Sequence, residues 1–394
     1  MVMARRVSVT GIRTFNAEFD LLCLIVRPRS DPARIRERIA AGVDFDLLLK
    51  LADAHGVRPM LLLGLAALSW EGVSDTLRAS LGHFHRTHQM RVLAFADEVC
   101  RVARLFAVEG VRFALFKGPA LAAHLYGGIS HREYNDIDVI VPPEEMVKAE
   151  ALLVSLGYGN RQGDRAFRQA FLAHQRQYAF VRPGFDAAID LHWHFCGRHL
   201  PFPVQPEEIW PSLVSVEIGS CTAPSLSDVD TALVLAGHGT KESWRGLSWV
   251  CDIATLIERR PGLDWSEVHR RARLQRCGDA VLLGCAMASG LLGTAVPVAL
   301  SAAVARNARV RRIAGTLIAS MRQGLHHFPD IKENLVDLDL CERWPDRLKF
   351  LSGLAVTPTP GDYHALPLPP ALWRAYYLTR PLRLAFKTLG LVRR

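Results

Sequence analysis

Hydrophobic positions recur at helical spacing from about residue 30 to 106, and between 46 and 67 Leu47, Leu48, Leu51, Ala52, Leu61 and Leu62 take core-facing places. The pattern predicts an all-helical leading region. Residues 98–108 continue it as an amphipathic helix that Gly110 ends, and the apolar run 111–116 that follows has the length of a buried strand. Gly118 and Pro119 stand where a flexible cap and a first-turn proline belong, which predicts a helix to about Tyr126, closed by Gly127-Gly128. A second strand is expected over 136–141, stopped by Pro142-Pro143, then a helix over 144–156 capped by Gly157. Two more strand-like runs, 176–182 and 187–195, flank a turn at Pro183-Gly184. In the second, Ile189, Leu191, Trp193 and Phe195 share one face, and Asp190, His192 and His194 share the other.

Helical periodicity returns from about residue 227, through 233–238, 249–257 and 266–292. Residues 280–305 carry no charge and are long enough to span a bilayer. Gly284, Ser289, Gly290, Gly293, Thr294 and Pro297 instead divide them into a helix, a turn and the start of another helix. Beyond Cys341, prolines at 357–361 and 366–370 mark a linker, and residues 371–394 form a helical tail. Its Leu378, Leu382, Phe386 and Leu389 make one stripe, and Arg380, Arg383 and Lys387 another, with no acidic residue. The stripe is expected to pack on the body of the protein, with an anionic membrane surface as the alternative. No internal repeat is present. The fold class expected is α+β, a small mixed-sheet core (109–225) between helical flanks at 1–108 and 226–340, ending in a proline-rich linker and basic helix at 341–394.

Composition narrows the partners without naming one. At 394 residues and 49% hydrophobic, the chain has room for two or three domains with real cores, which excludes a disordered protein. A net charge of +9 and an isoelectric point near 9.3 favour anionic partners. The eight cysteines are scattered, with no CxxC pair, and are expected to be reduced thiols of a cytoplasmic protein. Met1 to Arg6 is basic but is not followed by an uninterrupted apolar core and cleavage site, so no signal peptide is expected. Basic residues are dispersed and no zinc-finger spacing occurs, which argues against nucleic acid as a partner.

The chemistry concentrates in Phe116-Lys117-Gly118-Pro119-Ala120 and Asn135-Asp136-Ile137-Asp138-Val139-Ile140-Val141. On a strand, Asp136 and Asp138 point the same way, and two carboxylates aimed at one spot repel unless a cation lies between them. A hard divalent ion shared with substrate phosphates, Mg2+ foremost, fits such oxygen donors. Asp190, on the polar face of the later strand, is the candidate third carboxylate for a two-metal phosphoryl-transfer site. Pro119 has no N–H to offer a phosphate, whereas Lys117 places a full charge beside the helix start. Lys117 could instead close a strand end at the surface, and Arg132 could equally reach a phosphate or pair with an acid. Asp190, His192 and His194 also admit zinc. His238 and Asp252 are candidates for ligand contact or for buried structural polar groups.

These residues carry a resemblance. The run Lys117-Gly118-Pro119-Ala120-Leu121-Ala122, then Leu125-Tyr126, Arg132, Asp136 to Val141 and Gly157-Tyr158, is similar to the bacterial "uncharacterised nucleotidyltransferase" family of the DNA polymerase β-like superfamily. Similarity continues at Ile189-Asp190-Leu191-His192-Trp193 and at His238, Lys241, Trp244, Leu247 and Asp252, and residues 45–61 resemble the family's leading helices. The resemblance implies a nucleotidyltransferase core that uses Mg2+ and a nucleoside triphosphate, ATP foremost, to place a nucleotidyl group on an acceptor hydroxyl. It makes Asp136, Asp138 and Asp190 metal ligands and catalytic residues. Lys117, Gly118, Arg132, His238, Lys241 and Asp252 would contact the nucleotide, with 226–340 as the substrate-binding helical region. The competing expectation is a non-catalytic nucleotide-binding or scaffold protein that has kept the fold, with docking on a membrane through the tail as an option; the full set of carboxylates argues against it.

Overall fold

Acidic and hydroxyl side chains start the leading helices where the periodicity places them. The structure, a computed structural model, describes residues 16–161, 176–197, 200–323, 338–341 and 343–388. After α1 (Asn16–Val26), Asp31 caps α2 (Pro32–Ala40), Asp44 caps α3 (Phe45–Ala54), α4 (Arg58–Ala67) follows, and Ser74 caps the long α5 (Asp75–Val108). In each capped case a side-chain oxygen accepts a backbone N–H of the first turn that no helical carbonyl can reach. The segment before residue 6 and the stripe residue Leu389 lie outside the described residues.

The sheet begins with β1 (Ala114–Leu115), which enters α6 (Gly118–Leu121) with Pro119 in its first turn and continues as a π-helical turn over Ala122–Tyr126, closed by left-handed Gly127. Then come β2 (Asp136–Ile140), α7 (Met146–Ser155), β3 (Gly159–Asn160), β4 (Gln177–Arg182) and β5 (Phe185–His192). A hairpin of β6 (Val214–Ile218) and β7 (Cys221–Ser225) completes a seven-stranded mixed sheet in the order β3-β4-β5-β2-β1-β7-β6. The hairpin is absent from the sequence expectation. Its strands are five residues each, and Pro224 breaks the usual strand signature; it sits beside the sheet only because β7 runs parallel to β1. The run 111–116 pairs only at Ala114 and Leu115, and the strand expected to reach Phe195 stops at His192.

Helices α8 (Asp228–Lys241), α9 (Leu247–Arg259), α10 (Trp265–Leu274), α11 (Gly278–Leu292), α12 (Val298–Arg306) and α13 (Ala308–Arg322) follow. The run 266–292 is therefore two helices, not one, because Arg276 takes a left-handed turn between them. No helix among the described residues is long and apolar enough to cross a membrane, and Gly293 ends α11 as the glycine pattern predicts. The leading helices share one hydrophobic core with α8 to α13, centred on residues such as Phe19, Leu48, Leu233, Trp244 and Leu283. A second core joins α5 and α7 to the sheet through Phe95, Phe106, Ile137, Ile189 and Leu191.

Two expectations are corrected outside the sheet. Cys100 of α5 and Cys221 of β7 form a disulfide, so these two are not the reduced thiols expected; 121 residues apart in sequence, they meet only because the unforeseen hairpin lies against α5. The proline-rich stretch is more than a linker: α14 (Trp344–Val356) and α15 (Pro360–Ala365) precede the terminal α16 (Tyr376–Thr388). α16 docks through buried Tyr376 and Arg380, the latter paired at 2.8 Å with buried Asp362. Leu378, Leu382 and Phe386 point outward, 74%, 59% and 47% exposed, so the apolar stripe does not pack on the body.

One buried strap ties the sheet to the later helices. Arg132, just before β2, donates from Nε and Nη2 to the two oxygens of Asp252 on α9, each at 2.8 Å, and the Tyr126 hydroxyl donates to the same carboxylate at 2.7 Å. Asp252 is fully buried, so removing its partner leaves an uncompensated charge. Arg132→Met is expected to cost about 3–5 kcal/mol in urea unfolding; a loss below about 1 kcal/mol would show that the strap does not hold the two parts together.

Candidate active site

Parallel pairing of β2 and β5 puts Asp138 directly beside Asp190, with Ile140 beside His192. Because side chains alternate, Asp136, Asp138, Asp190 and His192 all emerge on one face of the sheet, while Ile137, Val139, Ile189 and Leu191 enter the core beneath. The loop between β1 and α6 lies over this edge. Gly118 has φ +52°, and a Cβ there would stand 2.7 Å from the carbonyl oxygen of Asp136, so only glycine lets the loop approach β2 so closely.

Lys117, immediately before that glycine, sends its ammonium 3.0 Å from Asp138 Oδ1, and His192 Nε2 lies 3.1 Å from the same oxygen. The Phe116 ring meets the His192 ring edge-on at 4.9 Å. Burial alone would lift the Asp138 carboxyl, but Lys117 and His192 hold it well below the usual carboxylate range. Burial would likewise lower the Lys117 ammonium, yet the attraction of Asp138 and then Asp136 raises it. Asp136 and Asp190 go the other way: burial first, and next the negative charge of Asp138, push each to about 6. Burial also lowers His192 and drives His238 well down, which keeps both rings neutral.

Two cavities meet at these carboxylates, and both touch Lys117, Asp136, Asp138 and His238. The larger, about 580 Å³, opens on the Gly118 side between the leading helices and α9, with Arg58, Tyr134, Asn135, Arg245 and Trp249 in its wall. The smaller, about 200 Å³, lies on the Asp190 side against Gln177, His192, Phe202, Lys241 and Glu242. A third cavity of about 560 Å³ shares Phe195 and Phe202 with the smaller one but reaches none of the three aspartates.

The predicted residues are distributed as follows. Lys117, Gly118, Asp136, Asp138, Asp190, His238 and Lys241 converge on the two cavities, the last two because they lie one turn apart on α8. Arg132 reaches the larger cavity with its guanidinium engaged by Asp252, and Asp252 itself lines neither chamber. His194 falls beyond the end of β5 and lines the third cavity, so the zinc set of Asp190, His192 and His194 does not assemble. Arg58, Arg245 and Trp249 were not foreseen; Arg58 starts α4, Arg245 lies in the turn between α8 and α9 and Trp249 in the first turn of α9, and none of them carries a local motif. Trp249 meets His238 edge-on at 5.8 Å.

Ligand atoms of Asp138, Asp190 and His192 lie within 4.8 Å of one another, and Asp138 Oδ2 is buried without a hydrogen-bond partner among the described residues. Such an orphaned, ionised oxygen facing other donors is what a divalent cation would satisfy. The residues present fit the ion.

Residues 41–293 match the family described as "Uncharacterised nucleotidyltransferase", and the chain belongs to that family. No curated protein matches the chain.

Crowding of carboxylates has a cost in the metal-free protein. Lifting Asp190 from near 3.8 to about 6 corresponds to on the order of 3 kcal/mol at about 1.4 kcal/mol per pH unit. The folded state binds the extra proton across that window, so stability falls as pH rises from about 4 to 6; Asp136, pushed up alike, adds to the fall, and Asp138, held low in the folded protein, opposes it only near pH 4, where its unfolded carboxyl still binds protons. Metal-free Asp190→Asn is therefore expected to melt above wild type at pH 7.5, with the gap closing near pH 4. A variant that melts lower at pH 7.5 would mean that the Asp190 charge is stabilised, not strained, by its surroundings.

Proposed function

We propose that the protein transfers a nucleoside monophosphate from an NTP, ATP by preference, to a hydroxyl on a small molecule, peptide or protein. The observation that supports this most is the meeting of Asp136, Asp138 and Asp190 at the junction of two cavities, under a loop that only glycine permits. A single-substrate hydrolase needs one chamber; a group transfer needs a donor and an acceptor brought together.

In this reading the larger cavity takes the nucleotide, its volume being within the range of small-ligand sites. Gly118 leaves room for the triphosphate at the start of α6, Lys117 offsets its charge, and half-buried Trp249 offers a face to the base. Asp136, Asp138 and Asp190 would hold Mg2+, which supplies charge neutralisation of the triphosphate and acidifies the attacking hydroxyl. The acceptor enters from the smaller cavity, where Lys241 and Gln177 can orient it. Asp190, ionised above about pH 6, takes the acceptor proton as the new oxygen–phosphorus bond forms in line and the bond to pyrophosphate breaks. Neutral His238, shared by both chambers, helps exclude water between them.

We place the protein in the cytoplasm; the dispersed basic residues argue against nucleic acid as acceptor. A second reading, a non-catalytic scaffold resting on an anionic membrane, draws on the outward Leu378, Leu382 and Phe386 of a tail without acidic residues. It does not account for the three converging carboxylates.

The experiment is pyrophosphate release from labelled NTPs with Mg2+, screened over acceptor hydroxyls. Asp136→Ala or Asp138→Ala is expected to lower the rate by on the order of 10²–10³-fold or more, with folding checked by thermal melts. Activity that survives either change removes the site assignment, and failure of wild type to bind any NTP with Mg2+ favours the scaffold.

A further inference from the structure

The sheet edge carries one donor that a purely carboxylate site does not need. His192 stands two residues after Asp190 on β5, on the same face, and is buried with its ring held edge-on by Phe116. Its Nε2 lies 3.1 Å from Asp138 Oδ1, and its ligand atom falls in one cluster with those of Asp138 and Asp190. Two donors in adjacent positions on a six-coordinate ion, with bonds of about 2.1–2.2 Å, stand about 3.0–3.1 Å apart. The spacing that serves as a hydrogen bond in the metal-free protein is thus also the edge of a coordination polyhedron.

A further feature favours ligation over a bond that merely orients Asp138. Asp138 Oδ2 is buried without a hydrogen-bond partner among the described residues, so the Oδ1 contact with His192 leaves the other carboxylate oxygen unsatisfied, and a cation between the carboxylates would satisfy it.

Resting on the metal-dependent reading above, we infer that His192 is a nitrogen ligand to the ion held between Asp138 and Asp190, and that this position favours a divalent transition ion over Mg2+. The neighbouring position, built from Asp136, Asp138 and triphosphate oxygens, has oxygen donors alone and remains suited to Mg2+. The division follows from donor chemistry: imidazole favours borderline ions, whereas Mg2+ strongly prefers oxygen. Asp138 is common to both positions, and the 3.0 Å contact with Lys117 is the one that must loosen when ions enter.

Pulsed electron paramagnetic resonance of the full chain loaded with Mn2+ tests this, because a directly bound imidazole gives a characteristic 14N modulation. Wild type is expected to show it. His192→Gln is expected to lose it while still binding Mn2+, at least about tenfold more weakly; His238→Gln, at the other histidine lining the same chamber, is expected to retain it. Should His192→Gln fail to fold, 15N-histidine labelling of wild type gives the same reading through replacement of the 14N pattern. Bound Mn2+ with no nitrogen coupling in wild type would overturn the inference and leave the contact as a hydrogen bond that positions Asp138. No bound Mn2+ at all would overturn it together with the metal-dependent reading. Nitrogen coupling in a protein that releases no pyrophosphate from any NTP would uphold the ligand and defeat only the proposed reaction.

Discussion

Three aspartates on neighbouring strand positions cannot share a buried sheet edge without a positive charge among them, and in this fold that charge is the Lys117 ammonium. It lies 3.0 Å from Asp138 and sits beside Asp136 and Asp190 in the same electrostatic cluster. The rest of the site can be understood from this one contact. The loop that delivers Lys117 must approach β2 closely enough to require Gly118, and Pro119 then starts α6 where its missing N–H costs nothing. The lysine satisfies one oxygen of Asp138 and leaves the other orphaned, while Asp136 and Asp190 are held near neutrality's edge. A site so arranged is stable enough to fold and strained enough to favour cations.

The helical regions complete what the sheet begins. Ser227 caps α8 and fixes the turn from which His238 and Lys241 face the carboxylates, and Trp244 packs fully buried against Gly239 behind them. The Arg132–Asp252 pair holds α9 to the segment entering β2, so that Trp249 and Arg245 form the far wall of the larger cavity. Since the leading and the later helices share one core, the larger cavity lies between parts of a single packed body.

Much of the centre was legible because strand alternation is a strict code. Asp136 and Asp138, and later Asp190 with His192, could be assigned to one face from spacing alone, and the Gly118-Pro119 pair announced the start of α6. What lay hidden depended on contacts between distant segments. The β6–β7 hairpin is short and contains Pro224, and the Cys100–Cys221 bond exists only because that hairpin lies on α5. In the tail, Arg380 was assigned to a basic stripe with Arg383 and Lys387, yet it pairs with buried Asp362 while Leu378 and Leu382 face outward. Arg58, Arg245 and Trp249 carry no local motif; they matter only through the wall they build.

The central claim is that Lys117 keeps a place that cations take over when the nucleotide binds. Anomalous scattering from crystals grown with Mn2+ and a non-hydrolysable ATP analogue tests it most directly. The account predicts anomalous peaks within bonding distance of Asp136, Asp138 and Asp190, the triphosphate against Gly118, and the Lys117 ammonium moved from Asp138 to phosphate. A nucleotide bound elsewhere, or a lysine still paired to Asp138 with no ion beside the aspartates, would contradict it.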